Sequence, residues 1–125
     1  MKYLGVDFGL KKIGLAVSEG EFASPWQIVK VKNIPDAVGK IGSIIEKGSF
    51  PKVIVGLPEG KMEKNVIGFV KALKKRGFEV ETAPETLSSK RALKSMIEQG
   101  VRQKKRREED AYSAAEILQQ FLDNQ

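Results

Sequence analysis

The sequence predicts an α/β domain in which a five-stranded sheet is flanked by helices. The stretch Met1–Ser18 shows the period of two expected of two short strands joined by a turn. The run Pro51–Gly56 is almost continuously apolar, which is typical of a strand buried on both faces in a mixed or parallel sheet. Segments such as Asn33–Lys47 instead carry apolar residues at helical spacing.

Each element follows from its own pattern. The first strand, around Leu4 and Val6, ends at Asp7, and a second strand runs back from Ile13. A third strand at Ser24–Val31 contains a proline at its entry, which limits it to a strand start or a sheet edge. The remaining predictions are a helix at Asn33–Lys47 closed by Gly48, the strand Pro51–Gly56, a helix to about Arg76 before Gly77, a strand at Phe78–Thr82, a helix from Ser88 or Ser89 to Gly100, and a last helix with Ala111, Ala114, Ala115, Leu118, Phe121 and Leu122 facing inward.

Composition narrows the chemistry that the chain can perform. Its 125 residues fit one domain over residues 1–125, large enough to bury a core without disulfides. The chain has no cysteine and no histidine, which excludes thiol chemistry, Cys/His zinc sites and an imidazole base. No apolar run approaches the ~20 residues of a membrane span, and no signal-peptide pattern opens the chain. We therefore expect a cytoplasmic protein with no membrane association.

Positive charge is concentrated near the C-terminal end. The chain carries a net charge of +6, and residues 86–107 contain eight basic residues against one acid. We interpret this as one local basic feature that favours contact with nucleic acid over a merely solvated loop and helix face. The candidate nucleic-acid-binding residues are Lys11, Lys12, Lys90, Arg91, Lys94, Arg102, Lys104, Lys105, Arg106 and Arg107.

Asp7 is the first of three candidate catalytic carboxylates. It stands where the first strand ends, and Gly9 is expected to give the following turn a φ that other residues resist. Gly5 and Gly14 are expected to leave open space beside the carboxylate for a metal ion or a phosphate. The alternative is that Asp7 only closes a hairpin turn through its own side chain.

Glu85 and Asp110 are the other two candidates. Glu85 follows the last predicted strand, where a solvent-exposed loop acid is the simpler interpretation. Asp110 lies in the first turn of the final helix, along the edge of its apolar stripe, where it also suits the helix dipole. If the three carboxylates converge, they suit Mg²⁺ or Mn²⁺, because hard cations prefer oxygen ligands and two such ions assist phosphodiester cleavage.

The chain resembles the YqgF family, also called RuvX, compact relatives of the RuvC Holliday-junction resolvases. The resemblance covers essentially the whole length and rests on four segments in order: Val6–Gly9 with Ile13–Val17, Val53–Pro58, Pro84–Ser88 and Asp110–Ala115. It implies a ribonuclease H-like mixed five-stranded sheet and metal-dependent phosphodiester cleavage. It also implies Asp7, Glu85 and Asp110 as metal ligands and 5′-end maturation of the small-subunit ribosomal RNA precursor.

Two segments depart from the family pattern, and alternatives remain open. Pro84 and Thr86 replace the family's usual Asp and Arg around Glu85, and Glu59–Lys61 replaces its common Asn-x-x-Gly, so substrate choice or rate can differ from the typical member. The substrate is structured RNA or branched DNA, and a non-catalytic nucleic-acid-binding module is the third alternative. A monomer and a weak dimer are both compatible with the sequence. The phosphate-binding hairpin of actin-like and sugar-kinase ATPases is excluded, since those enzymes need two such domains.

The basic segment predicts a salt-dependent interaction with RNA. Replacing Lys104, Lys105 and Arg106 with Ala should flatten the plot of log affinity against log salt by about one unit per lost phosphate contact. RNA binding measured across a salt series checks this, and an unchanged slope would mean that the segment does not meet the phosphate backbone.

Overall fold

The computed structural model describes residues 2–84 and 109–124, without the side chains of Glu109 and Asp110. The predicted helix from Ser88 or Ser89 to Gly100 lies outside this range. The described elements are β1 (Lys2–Asp7), β2 (Lys12–Glu19), β3 (Phe22–Lys30), α1 (Ile34–Gly48), β4 (Lys52–Leu57), α2 (Glu63–Lys75), β5 (Val80–Pro84) and α3 (Glu109–Asp123). None of these helices is both long enough and apolar enough to cross a membrane.

The five strands form one mixed sheet, as predicted, and their order in the sheet is β3-β2-β1-β4-β5. β1 pairs antiparallel with β2, and β2 pairs antiparallel with β3. β1 and β4 are parallel, and so are β4 and β5. The carboxyl ends of these three parallel strands therefore lie side by side, at Asp7, Leu57 and Pro84. We call this the carboxyl edge of the sheet.

Helices cover both faces of the sheet. One face packs against α1 and α2, where the fully buried residues include Leu4, Val6 and Phe69. The other face packs against α3 through a smaller cluster that contains Ala114 and Leu118. A Cβ atom added at Gly5 would lie 2.8 Å from the Leu118 Cβ and 2.9 Å from the Ala114 carbonyl oxygen. Gly5 therefore lets α3 approach the centre of the sheet closely.

The two ends of α1 show how local sequence sets helix boundaries. At the start, the Asn33 side chain accepts a hydrogen bond from the Asp36 N–H at 2.8 Å, a typical N-cap. The Asp36 carboxylate accepts from the Lys32 backbone N–H at 2.9 Å and pairs with Lys40, and these contacts lower the pKa of Asp36. The prediction that Gly48 closes the helix is wrong: Gly48 is its last residue, and Ser49 adopts the left-handed conformation at φ 52°.

The segment after α2 differs from the prediction by two residues. α2 ends at Lys75, and Gly77 follows at φ 93°, which agrees with its predicted role as a stop. The next strand begins at Val80 rather than at Phe78. The Phe78 N–H donates a hydrogen bond back to the Leu73 carbonyl oxygen at 3.3 Å, so Phe78 contributes to the C-terminal cap of α2 rather than to the strand.

β3 is an edge strand, as its proline predicts. Pro25 lies inside the strand rather than at its start, next to a β-bulge. Pro25 pairs with Ala16 and Gln27 with Leu15, so Trp26 is the extra residue. Trp26 is 45% exposed, and its ring centroid lies 6.0 Å from that of Phe50. Farther along the edge, the Lys40 ammonium group donates a hydrogen bond to the Lys30 carbonyl oxygen at 2.8 Å.

The close approach at Gly5 predicts a large effect of a small substitution. Gly5→Ala should destabilise the protein by about 1–3 kcal/mol, because α3 must move away from the sheet to admit the methyl group. Urea unfolding measures this change. The matched control is Gly39→Ala in α1, where an added Cβ meets nothing within 4 Å. The control should gain about 0.5–1 kcal/mol from helix propensity, and equal effects of the two substitutions would contradict the packing at Gly5.

Ser49 predicts a stabilising substitution. Ser49→Gly should raise the free energy of unfolding by up to about 1 kcal/mol, because glycine adopts the left-handed conformation without the steric penalty that a Cβ brings. Ser49→Ala, which keeps that penalty, should give no gain. Thermal unfolding of the two variants beside the wild type separates the conformational effect from loss of the hydroxyl.

Candidate active site at the carboxyl edge of the sheet

Asp7 is a buried carboxylate at the end of β1. It pairs with Gly14 across the β1–β2 ladder, and only 7% of its surface is exposed. Its neighbour Val6 is fully buried, and the Phe8 ring packs on Phe69 with centroids 4.8 Å apart. Since Val6 and Phe8 face α1 and α2, strand alternation directs Asp7 to the opposite face, which α3 covers. Packing of both neighbours therefore fixes the strand backbone from which this carboxylate projects.

The local geometry at two glycines near Asp7 differs from the prediction. Gly9 is not among the described glycines with positive φ, so the expected backbone conformation is wrong. Its importance is steric, because a Cβ at this position would collide with the Lys12 carbonyl oxygen. The open space expected at Gly5 is also wrong, because the backbone and side chains of α3 fill it.

The direction of α3 determines where its first turn lies. The rings of Tyr3 and Phe121 meet edge to face with centroids 6.0 Å apart, and Gly5 contacts Ala114, so α3 runs antiparallel to β1. From this contact, β1 continues for two residues to Asp7, about 7 Å at 3.3 Å per residue. α3 extends back four residues to Asp110, about 6 Å at 1.5 Å per residue. The backbone of Asp110 is therefore level with Asp7 along the strand direction.

Glu85 lies outside the described residues, so its predicted role as a ligand stays a prediction. Its predecessor Pro84 is the last residue of β5 and pairs with Leu57 at the carboxyl edge. A cleft of about 410 Å³ opens there, and its lining consists of Leu57, Pro58, Glu59, Glu63, Thr82, Ala83 and Pro84. Among the side chains that the structure describes, no three acidic groups come together as a metal site. Two of the three predicted ligands, Glu85 and Asp110, have side chains beyond that set.

The predicted basic surface is described only at its first two members. Lys11 and Lys12 are exposed and follow Asp7 in the β1–β2 connection. The Lys11 carbonyl oxygen accepts a hydrogen bond from the Val31 N–H at 2.9 Å, which ties this connection to the end of β3. The other candidates lie outside the described range: Lys90, Arg91, Lys94, Arg102, Lys104, Lys105, Arg106 and Arg107.

Basic character is not confined to that segment, contrary to the prediction of one local feature. Residues 61–76, around α2, hold six basic residues against one acid. Lys64, Lys71 and Lys75 are all exposed on this helix. A sum of charges along the whole chain hides them, because acidic residues elsewhere cancel them. Their helical spacing of i, i+7 and i+11 is the sequence signal that reveals a common face.

Comparison with known proteins identifies the family. The RuvX family profile, described as Holliday junction resolvase, matches residues 1–124. A protein of Anaplasma marginale named "Putative pre-16S rRNA nuclease" is 36% identical, over 98% of this chain and 84% of its own length. A protein of the same name from Natranaerobius thermophilus is 32% identical, over 100% of this chain and 96% of its own length.

Solved structures share the fold at low sequence identity. RuvC of T. thermophilus in complex with a Holliday junction substrate has a TM-score of 0.62 at 18% identity, covering 99% of this chain and 95% of its own. The fowlpox virus Holliday junction resolvase has a TM-score of 0.66 at 12% identity, covering 99% of each chain. These likenesses agree with the ribonuclease H-like sheet that the sequence implies. With its profile matched over residues 1–124, the chain belongs to the RuvX family of Holliday junction resolvase-like nucleases.

Proposed function

We propose that this protein is a metal-dependent nuclease that hydrolyses phosphodiester bonds in structured RNA, in 5′-end maturation of pre-16S ribosomal RNA. The observation that supports this most directly is Asp7, a carboxylate that is 7% exposed and stands at the carboxyl edge of the sheet. Open α/β sheets bind their ligands at such edges. The RNA substrate is inferred from the names of the two relatives, both of which refer to pre-16S rRNA.

Asp7, Glu85 and Asp110 are the proposed ligands of Mg²⁺ or Mn²⁺. Their donor atoms are all carboxylate oxygens, which such hard cations prefer, and the chain contains no cysteine or histidine to favour a softer metal. A divalent ion bound there supplies positive charge for the attacking and leaving oxygens of the phosphodiester. The strand position of Asp7 and the helix backbone of Asp110 hold two of these residues on rigid elements rather than on loops.

The basic residues near the proposed metal site position the phosphate backbone of the substrate. Lys11 and Lys12 are exposed and follow Asp7 where β1 connects to β2. Their ammonium groups offer cationic contacts to phosphates on either side of the cleaved bond. The basic segment at residues 86–107 adds eight cationic side chains directly before Asp110 in sequence. Such contacts orient a substrate without reading its sequence, which suits cleavage directed by RNA shape.

Branched DNA is the second candidate substrate. The family description names Holliday junction resolvases, and a structure of the same fold contains a Holliday junction. Four-way junctions and folded RNA both present closely spaced phosphates from several helices. The two candidates are therefore separated by substrate preference.

Asp7→Asn should abolish cleavage while leaving the fold intact. The amide keeps the shape of the side chain but loses the negative charge that holds a cation. Loss of an outer-shell partner of a metal ligand already costs 10–100-fold, so removal of a ligand's charge should reduce the rate by more than about 100-fold. The measurement is cleavage of a pre-16S rRNA fragment and of a four-way DNA junction, each with Mg²⁺, with Mn²⁺ and with EDTA.

The matched control is Asp123→Asn, the same chemical change near the other end of α3. Asp123 is exposed, and within the described part of the chain its carboxylate accepts one hydrogen bond, from Gln119 at 3.0 Å. Its variant should cleave at the wild-type rate. Binding of both nucleic acids without cleavage by the wild type would instead support the non-catalytic module. Metal-dependent cleavage that survives Asp7→Asn would remove Asp7 from the catalytic set.

A further inference from the structure

A cleft of about 500 Å³ lies between the edge strand β3 and the beginning of α3, and we call it the α3 cleft. Its lining consists of Pro25, Trp26, Gln27, Ile28, Ala111 and Tyr112. Pro25, Trp26 and Gln27 are exposed, whereas Ile28 and Tyr112 are half-buried. Small-molecule sites in proteins usually have volumes of about 300–1,000 Å³, so the α3 cleft is large enough to hold such a ligand.

Contacts farther along α3 explain why Tyr112 lies over β3. The Gln119 side chain accepts a hydrogen bond from the Ala23 N–H at 2.9 Å and donates one to the Glu21 carbonyl oxygen at 2.9 Å. Tyr112 precedes Gln119 by two helical turns, so both lie on the same side of α3, about 10 Å apart along its axis. β1 and β3 are both antiparallel to β2, so α3 runs antiparallel to β3 as well. About 10 Å along β3 is three residues, which leads from Ala23 to Trp26 in the cleft.

The α3 cleft adjoins the candidate active site. Asp7 pairs with Gly14 across the sheet, and Gly14 pairs with Ile28, so these three residues form one row. Ile28 is therefore two strand spacings from Asp7, about 10 Å. Gly14 contributes no side chain to the space between them. On the helix side, Ala111 of the cleft directly follows Asp110, so the cleft and the candidate site share the beginning of α3.

Two lysines lie beside this row, toward the carboxyl edge. Lys12 pairs with Lys30 across the β2–β3 ladder, and both are exposed. Their neighbours Ile13 and Val29 face α1 and α2, so strand alternation directs both lysines to the face of Asp7. Like charges directly opposite each other on a sheet repel, and an anion between them relieves that repulsion. The pair therefore offers a place for a phosphate beside both the candidate site and the α3 cleft.

The chemistry of the α3 cleft suits the uncharged part of a nucleotide. None of the six lining residues named above is charged, so they offer no counter-charge to a phosphate. Tyr112 contributes an aromatic ring, and Pro25 and Ile28 contribute apolar surface. Gln27 contributes an amide that can both donate and accept hydrogen bonds. Proteins bind unpaired bases with this combination, because a base stacks on an aromatic ring while its edge forms hydrogen bonds with polar groups.

We propose that the α3 cleft binds the base of an unpaired nucleotide next to the cleaved phosphodiester bond, with the base stacked on the Tyr112 ring. This inference rests on the proposed function and assigns a base subsite to the same active site. A base within a duplex is paired along its edge and stacked on both faces, so it must leave the helix before it can enter a cleft. The preferred substrate is accordingly unpaired at one nucleotide beside the cleaved bond.

The test removes the base and the ring separately and together. The substrate is a single-stranded pre-16S rRNA fragment, in which a stable abasic residue is placed at each position in turn. The proteins are the wild type, Tyr112→Ala, and the matched control Tyr112→Phe, which keeps the ring. Binding is measured by fluorescence anisotropy in EDTA, and kcat/KM is measured with Mg²⁺. Circular dichroism and thermal unfolding verify that the variants are folded, and Tyr112→Leu takes the place of Tyr112→Ala if the latter unfolds.

For the wild type and Tyr112→Phe, one abasic position should lower the affinity at least about 5-fold, the lower end of the effect of losing a base–aromatic stack. Tyr112→Ala should lose a similar factor on the intact RNA. The abasic residue at that position should then cost Tyr112→Ala nothing further, because the stack is already absent. If the abasic residue costs Tyr112→Ala as much as it costs the wild type, the proposal is overturned, and Tyr112 only covers the edge of the sheet. A wild-type affinity that no abasic position lowers would overturn it as well.

Failure of this inference and failure of the proposed function give different results. If the wild type cleaves with Mg²⁺ and the losses from the ring and from the base are independent, the inference fails and the nuclease stands. If the two losses overlap in binding but the wild type cleaves nothing, the nuclease fails and the α3 cleft stands as a base-binding site without catalysis. A wild type that does not bind the RNA overturns both.

Discussion

The contact between Gly5 and α3 is the constraint on which the geometry of the candidate site depends. β1 lies in the middle of the sheet, and its glycine lets the backbone of α3 come within van der Waals distance of the strand. On the N-terminal side of this contact, the buried residues Ala111, Ser113 and Ala114 of α3 are small. This close packing fixes the height of α3 above the sheet, and with it the position of the first helical turn relative to Asp7. Displacements of about 1 Å can reduce catalysis 100-fold, so a methyl group at Gly5 is expected to affect chemistry as well as stability.

Much of the fold could be predicted because its signals are local. The period of two at the N-terminal end gave β1 and β2, and the continuous apolar run gave β4, a strand with parallel neighbours on both sides. Signals that depend on distant partners were missed. Nothing around Gly5 in sequence indicates that residues 114 and 118 will fill the space beside it. The left-handed residue after α1 is Ser49 rather than the adjacent glycine, because the last helical hydrogen bonds determine where the chain turns.

The candidate site was predictable to a different extent at each residue. Asp7 lies at the end of a strand, and that position follows from alternation alone. Asp110 lies in the first helical turn of α3, as its spacing to Ala114 indicates. The roles of the Asp110 side chain and of Glu85 as metal ligands remain predictions. The exposed lysines Lys64, Lys71 and Lys75 of α2 do not stand out when charge is summed along the chain. A helix brings together residues seven and eleven positions apart, so charge has to be read with the helical period in the same way as hydrophobicity.

The bulge in β3 bears on how copies of this protein behave at high concentration. An open strand edge with free N–H and C=O groups invites another chain to add its own strand, and this is a common start of aggregation. Pro25 has no N–H to offer, Trp26 interrupts the regular ladder, and Lys40 occupies the Lys30 carbonyl oxygen. Three successive obstacles along one edge therefore hinder sheet-to-sheet association. Among the described residues, β3 can therefore remain an unpaired edge strand without readily adding a strand from another copy.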